Sequence, residues 1–376
     1  MDRWPWIRIP LILLSATLLL VLLGWASIAR AEEIANSGGR FLRQQMVWSV
    51  LALVVLIVAS LPSYRLLARW TYAGYGVVCL LLIAVYFFPA VNGAHRWLRF
   101  GGVGFQPSEL AKIVFVITLA RYLMFRKDQR TWRGFVVPFL MAMLPALLIV
   151  REPDLGTSLV FFPVLLLMLF WAGARKADLV KVALAGLVIA PLLWTQMSRE
   201  RQSRVTALFQ QTVPGQQPHD DAYHLRQAKR MLTHGGLWGS YFNDEGIPDS
   251  AAYHLPEAHT DFVFCMIGER FGLGGTGLVV ALWGILVWRA LAVAEATREP
   301  FGRLLAAGIA GLFGVEVVIN LAMTVGLAPI TGLALPMVSY GGSALLAHAT
   351  AIGLLINVAA RPGYEISREP FRFATV

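Results

Sequence analysis

Residues 9–29 read IPLILLSATLLLVLLGWASIA, an uncharged apolar run. A helix needs about 20 such residues to cross a bilayer. The same reading repeats along the chain. Apolar runs lie at 9–29, 45–62, 72–90, 109–124, 134–150, 156–174, 178–196, 261–288, 303–325 and 341–360, with Gly173-Ala174-Arg175-Lys176 breaking the sixth from the seventh. Of the 376 residues, 57% are hydrophobic and 14% charged, where an average soluble domain carries about 25% charged residues. No soluble globule of this length hides so much apolar surface, which excludes soluble enzymes, disordered proteins and DNA-binding domains. The expected fold is all-α, a polytopic membrane protein of about ten transmembrane helices. It forms one membrane domain over 1–376, with a long loop at 197–260 between spans seven and eight.

The net charge of +10 follows the membrane rather than a nucleic acid. Basic residues sit in short clusters between the apolar runs, the pattern of the positive-inside rule. With both termini in the cytoplasm, the inner segments hold seventeen Lys and Arg and the short outer loops six. The loop 197–260 is left out of this count, since long loops cross largely regardless of charge. Cys79 and Cys265 both lie in apolar runs and imply neither a disulfide framework nor a metal–thiolate site. Ala29-Arg30-Ala31 after the first run resembles a signal-peptide cleavage site, but the run is long and nine more follow, so an uncleaved first span is expected.

Polar residues are unevenly placed. The inner loops are short, basic and without motif, whereas four outer clusters gather Gly, Pro, Trp and charge. In the first, Asn92 to Phe100 runs into Phe105-Gln106-Pro107-Ser108-Glu109-Leu110-Ala111-Lys112. Pro107 suits a first helical position and Glu109 the first turn. Glu109 and Lys112 share a helix face, so a local ion pair is one reading. Lys112 points into a span, where a charge usually meets a cavity or a partner. In the second, Arg151-Glu152-Pro153-Asp154-Leu155-Gly156-Thr157-Ser158 reads as a turn with Asp154 capping the next helix. The third, Leu255-Pro256-Glu257-Ala258-His259-Thr260-Asp261-Phe262, ends the long loop; Thr260 or Asp261 could be a plain N-cap there. The fourth, Pro329 to Ser343, is an apolar stretch broken by Pro and Gly at membrane depth. Irregular backbone there needs cover from protein or a watery cavity.

Together these clusters closely resemble the SEDS family of cell-wall polymerases, which includes RodA and FtsW. The strings that carry the likeness are NGAHRWLRF…FQPSELAK, EPDLGTS, LPEAHTDFVF…IGE, PITGLALPMVSYGGS and GGLWG at 235–239. The EPDLG turn and the unbroken Thr-Gly pair resemble RodA more than FtsW. The chain departs from the pattern at His95, Arg270, Glu316 and Ser240-Tyr241; Glu316 lies four residues before Asn320 on one helix face.

The resemblance implies polymerisation of lipid II into β-1,4 glycan strands at the outer face of the bacterial cytoplasmic membrane, for elongation and rod shape. The donor is a strand linked to undecaprenyl diphosphate, and the step inverts. A sugar hydroxyl needs a base within hydrogen-bond reach, and Asp261 matches the family's proposed base. Diphosphate is a good leaving group, so no acid partner is obligatory. Its departing charge can be met by Arg, Lys or a divalent cation. Arg96 and Lys112 are the candidates for diphosphate contact. Glu109, Asp154, Glu257 and His259 are candidate orienting residues, and Ser339 a candidate cavity wall. A divalent cation, Mg2+ or Mn2+, is expected, with Glu109, Asp154 or Glu257 as possible ligands. The implied partners are lipid II, the lipid-linked glycan, membrane lipid and a class B penicillin-binding protein, without nucleic acid. Three rival readings stay open: an FtsW-like division polymerase, a flippase for lipid-linked precursors, and a non-enzymatic scaffold.

Overall fold

The computed structural model describes residues 5–90, 93–100, 103–125, 133–195, 199–210, 221–243, 255 and 257–361. Ten long helices among them coincide with the ten apolar runs. They are α1 (Pro5–Ala35), α2 (Arg40–Ser60), α3 (Tyr64–Ala84), α4 (Pro107–Leu123), α5 (Arg133–Arg151), α6 (Leu155–Trp171) and α7 (Lys176–Thr195), followed after the long loop by α11 (Val263–Ala296), α12 (Pro300–Val325) and α13 (Gly342–Ala359). The described part of the long loop is not plain coil. It holds α8 (Arg199–Gln210), α9 (Asp221–Gly235) and the short α10 (Ser240–Asn243).

Seven of the ten are long and apolar enough to cross a membrane by length and composition, and α6 is a shorter apolar helix. The other two carry charge: α4 holds Glu109, Lys112 and Arg121, and α7 opens on Lys176, Asp178 and Lys181. Helix starts follow local chemistry. Pro107 opens α4 with Glu109 in its first turn. Glu299 caps α12 by accepting from the Gly302 amide at 2.6 Å. Asp154 caps α6 by accepting from the Thr157 amide at 3.1 Å.

Two helices run well past the C-terminal ends of their apolar runs. The α1 helix continues to Ala35 and α11 to Ala296. In α1 the extension is held by a buried pair: the Arg30 guanidinium donates to Glu269 of α11 through Nε at 3.0 Å and Nη2 at 2.8 Å. Ala29-Arg30-Ala31, the site resembling a cleavage signal, thus lies inside a continuous helix that is tied to α11.

The bundle is centred on α4, α12 and α13, most of whose residues are buried. The apolar window of α13 is 78% buried inside the protein and that of α2 only 17%, so α2 turns most of its surface to lipid. Between α12 and α13 the chain turns back into the bundle. Leu333, Leu335, Met337 and Val338 are buried there. A Cβ placed on Gly24, in the middle of α1, would stand 2.4 Å from the Val338 carbonyl. The buried residues of this segment are therefore covered by protein at membrane depth, the cover that irregular backbone requires there. A two-stranded antiparallel hairpin, β1 (Leu98–Phe100) and β2 (Val103–Phe105), leads into α4.

Candidate active site

The four clusters meet at one end of the bundle. The start of α6 touches the segment after α12, since a Cβ on Gly156 would lie 2.2 Å from the Thr331 carbonyl. The hairpin touches the start of α13: the Gln106 amide donates to Ser343 Oγ at 3.1 Å, and that hydroxyl donates to the Gly104 carbonyl at 3.3 Å.

Asp261 sits where these loops converge. It is not a helix cap. The α11 helix begins at Val263, and Phe262 is its N-cap residue with no side-chain bond. Residues 257–262 instead form a turn, and three successive carbonyls of that turn are held from the opposite wall. The His259 carbonyl accepts from the Tyr340 amide at 2.8 Å. The Thr260 carbonyl accepts from Ser339 Oγ at 2.5 Å. The Asp261 carbonyl accepts from Asn320 Nδ2 at 3.0 Å. Asn320 also donates to the Leu333 carbonyl at 2.7 Å, so one buried amide ties the Asp261 turn to the segment that dips into the bundle. Positive φ at Glu257 (53°) and Met337 (62°) falls in the same two loops, and such strain persists only where surroundings over-determine it.

The Asp261 side chain is half-buried and its pKa is pushed up to about 7. Burial is the main cause, and the negative charges of Glu257 and Asp154 add to it. Arg204 of α8 and a hydrogen bond from Thr260 oppose the rise. Burial thus outweighs local stabilisation of the charge.

The other candidates take distinct places. Lys112 is buried, and its Nζ donates to Glu109 at 2.9 Å and to Glu316 at 2.5 Å. The second oxygen of Glu316 meets His348 Nε2 at 3.0 Å. Lys112 is thus the centre of an intramembrane charge chain rather than a lysine open to ligand. Arg96 donates through Nε to the Glu152 carbonyl at 3.0 Å and through Nη2 to the Pro153 carbonyl, so it clamps the EPDLG turn. Asp154 accepts from Thr157 and from Gln106 Nε2 at 3.4 Å. Glu257 is exposed and accepts from Thr260 Oγ1 at 3.1 Å. His259 stacks on Phe41 with ring centroids 4.2 Å apart, and burial lowers its pKa. Ser339 is buried as a staple of the Asp261 turn; its hydroxyl also accepts from the Leu335 amide at 2.8 Å. A cavity of about 280 Å³ opens beside the turn, lined by Glu32, Phe41, Met231, Glu257, His259 and Met266 among others.

Among the described residues no three His, Cys, Asp or Glu side chains group to hold a metal ion. Glu109 is paired with Lys112, and Asp154 is spent on the helix cap. Four functional groups escaped the sequence reading as candidates. Asn320 and Glu316 were visible as a polar pair one turn apart, but not their partners. His348 carried a signal that was passed over, since an ionisable residue within a span is a functional hypothesis by default. Glu152 is fully buried with both carboxylate oxygens unpartnered. Its pKa is pushed up to about 8 by burial and by Asp154, against the pull of Arg96. Nothing in a short acidic turn betrays that burial.

Comparison with known proteins fits this geometry. A family model described as cell cycle protein, FtsW/RodA/SpoVE, matches residues 6–363. The chain belongs to this family. A probable peptidoglycan glycosyltransferase FtsW of Geobacter sulfurreducens is 35% identical to it, covering 89% of this chain and 90% of that relative. The peptidoglycan glycosyltransferase MrdB of Escherichia coli K12 is 32% identical, covering 92% and 93%. Among solved structures, the rod shape determining protein RodA of Thermus thermophilus matches with a TM-score of 0.70 at 29% identity, over 94% of this chain and 97% of that one. A chain from a study of polymerization and crosslinking by a peptidoglycan synthase complex matches with a TM-score of 0.77 at 29% identity, over 93% and 97%. The SEDS resemblance read from the four motifs and the polytopic helical fold both stand.

Proposed function

We propose that this member of the FtsW/RodA/SpoVE family is a peptidoglycan glycosyltransferase that polymerises lipid II, with Asp261 as general base. The observation that carries the reading is the Asp261 carboxyl itself: half-buried, on a turn fixed by three successive carbonyl bonds, and with a pKa near neutrality. A general base works best when its pKa lies near the operating pH. Asp261 takes the proton of the acceptor's GlcNAc 4-hydroxyl as that oxygen bonds to the donor's anomeric carbon. The bond from that carbon to the diphosphate breaks, and undecaprenyl diphosphate leaves with the electron pair. An α-linked donor becomes a β-1,4 linkage.

The leaving diphosphate needs positive charge. Arg96 has N–H groups beyond the two that hold the turn, and Arg204 faces Asp261. A divalent cation, Mg2+ or Mn2+, fits in the mode that uses one or two carboxylates and the substrate's own phosphate oxygens; Glu257 is the exposed carboxylate beside Asp261, and the ion would neutralise charge on the diphosphate.

The site is placed outside the cytoplasmic membrane and the termini inside, on the seventeen-to-six basic count. The elongation role rests on the EPDLG and Thr-Gly motifs. The division role is the second reading, favoured by the FtsW relatives at 35% identity. A class B penicillin-binding protein is the proposed partner, supported by the likeness to a chain from a peptidoglycan synthase complex. The test is direct: purified full-length protein, with and without such a partner, is given lipid II and a divalent cation. Glycan ladders on a gel support the enzyme, whereas a flippase or a scaffold makes none.

A further inference from the structure

The loop that follows α9 carries a patch which the proposed chemistry does not use. Leu237, Trp238, Tyr241 and Phe242 are each 57–69% exposed. Leu273 of α11 beside them is 63% exposed. Soluble loops do not gather five large apolar side chains in water.

Their depth is set by the backbone. The Leu273 amide donates to the Gly236 carbonyl at 3.0 Å. The α11 helix is broken at Gly272, with φ 60° and ψ −154°. A Cβ there would lie 2.5 Å from the Leu237 carbonyl, and a Cβ on Gly239, at φ 82°, would lie 2.4 Å from the Arg270 carbonyl. Only glycine allows backbone to sit on backbone this closely at positive φ. The segment is therefore pinned at the level of Leu273. Farther along α11, Trp288 is 59% exposed and the Arg289 guanidinium stacks over its ring at 4.5 Å, a pair suited to the opposite membrane interface. The fifteen residues from Leu273 to Trp288 rise roughly 23 Å as a helix, which is less than the ~30 Å of hydrocarbon. Leu273 thus lies within roughly 7 Å of the hydrocarbon edge on the side of the site, and the segment pinned beside it reaches that edge. Leu278 and Val280 continue the same exposed apolar flank of α11 toward the middle of the bilayer. The patch is the upper margin of a surface already facing acyl chains.

We infer that residues 236–242 form an interfacial anchor, with Leu237, Trp238, Tyr241 and Phe242 seated in the headgroup–acyl boundary. Trp and Tyr favour that boundary because their rings are apolar and their tips polar. The Arg270 guanidinium, 5.0 Å above the Tyr241 ring, stands ready for lipid phosphate. The anchor also bears on the site. The α9 helix that ends in it packs Ala228 and Met231 against Phe262 and Met266, directly behind Asp261. Seating the anchor in the boundary fixes the height of Asp261 against the layer where lipid-linked diphosphates lie. The anchor itself does not depend on the catalytic reading.

The test uses full-length protein in lipid nanodiscs with bimane on a single new cysteine. Cys79 and Cys265 are buried and leave the background low. Bimane at Trp238→Cys is compared with bimane at Thr233→Cys, an exposed position on the polar face of α9. Lipid carrying a nitroxide near the headgroup should quench the first several-fold more than the second, and aqueous iodide should do the reverse. Tyr241→Cys repeats the measurement if Trp238→Cys folds poorly. Iodide quenching at 238 and 241 equal to that at 233 would overturn the anchor. So would shielding from both quenchers, which would mean that protein, a second copy or a partner, covers the patch.

Discussion

The carbonyls of His259, Thr260 and Asp261 are each held by a different residue of the opposite wall, so the backbone that carries the Asp261 carboxylate is fixed by three bonds. Its pKa near 7 has a direct consequence. A base works only when deprotonated, so the rate of glycan growth should rise with pH through about 7 and level off above it. A rate that falls over that interval would remove Asp261 from the role. Lys112 makes a different prediction. Removing it leaves Glu109 and Glu316 as buried carboxylates without their cation, a change that costs roughly 3–5 kcal/mol. Lys112→Ala should therefore lower the melting temperature sharply in detergent, and adding Glu316→Gln should recover part of the loss. An unshifted melting temperature with lost polymerisation would instead put Lys112 on the substrate. These roles were half legible. The spacing of Glu109 and Lys112 on one helix face showed their pairing, but Glu316 and His348 are 204 and 236 positions away from Lys112, and no local pattern links them.

Helices were the most legible elements, because a span must bury every backbone group within itself and so must be a long apolar run. Their ends were less so. The first apolar run stops before Arg30, yet Arg30 and Glu269 neutralise each other across the α1–α11 contact and α1 runs through. The helices of the long loop were missed because they are too polar to read as spans. Only the spacing of Ala222, Leu225, Ala228 and Met231 marks the buried face of α9. The loop also reports topology. Thr233→Cys, exposed on α9, should react with an impermeant thiol reagent on cells whose outer barrier has been opened. Reaction only after the cytoplasmic membrane is broken would invert the proposed orientation.

At the scale of the molecule, α4, α12 and α13 form the buried centre and the remaining helices surround them. The four motif clusters, spread from residue 92 to 343, close over one end of that centre. Their convergence was implied by the family resemblance and not by any pairwise spacing, since long-range loop contacts leave no periodic trace. The same arrangement brings Glu257, Asp154 and Arg204 within electrostatic reach of Asp261, which suits a carboxylate that takes a proton from a sugar hydroxyl. The most direct measurement is glycan synthesis from lipid II by the purified parent and by Asp261→Asn, with equal melting temperatures confirmed first. Asn keeps the size of the side chain and leaves the three carbonyl bonds in place, but cannot accept the proton. The expected result is long glycan chains from the parent and a loss of roughly 10²–10⁴-fold in the variant; polymerisation by Asp261→Asn within a few-fold of the parent would contradict the assignment.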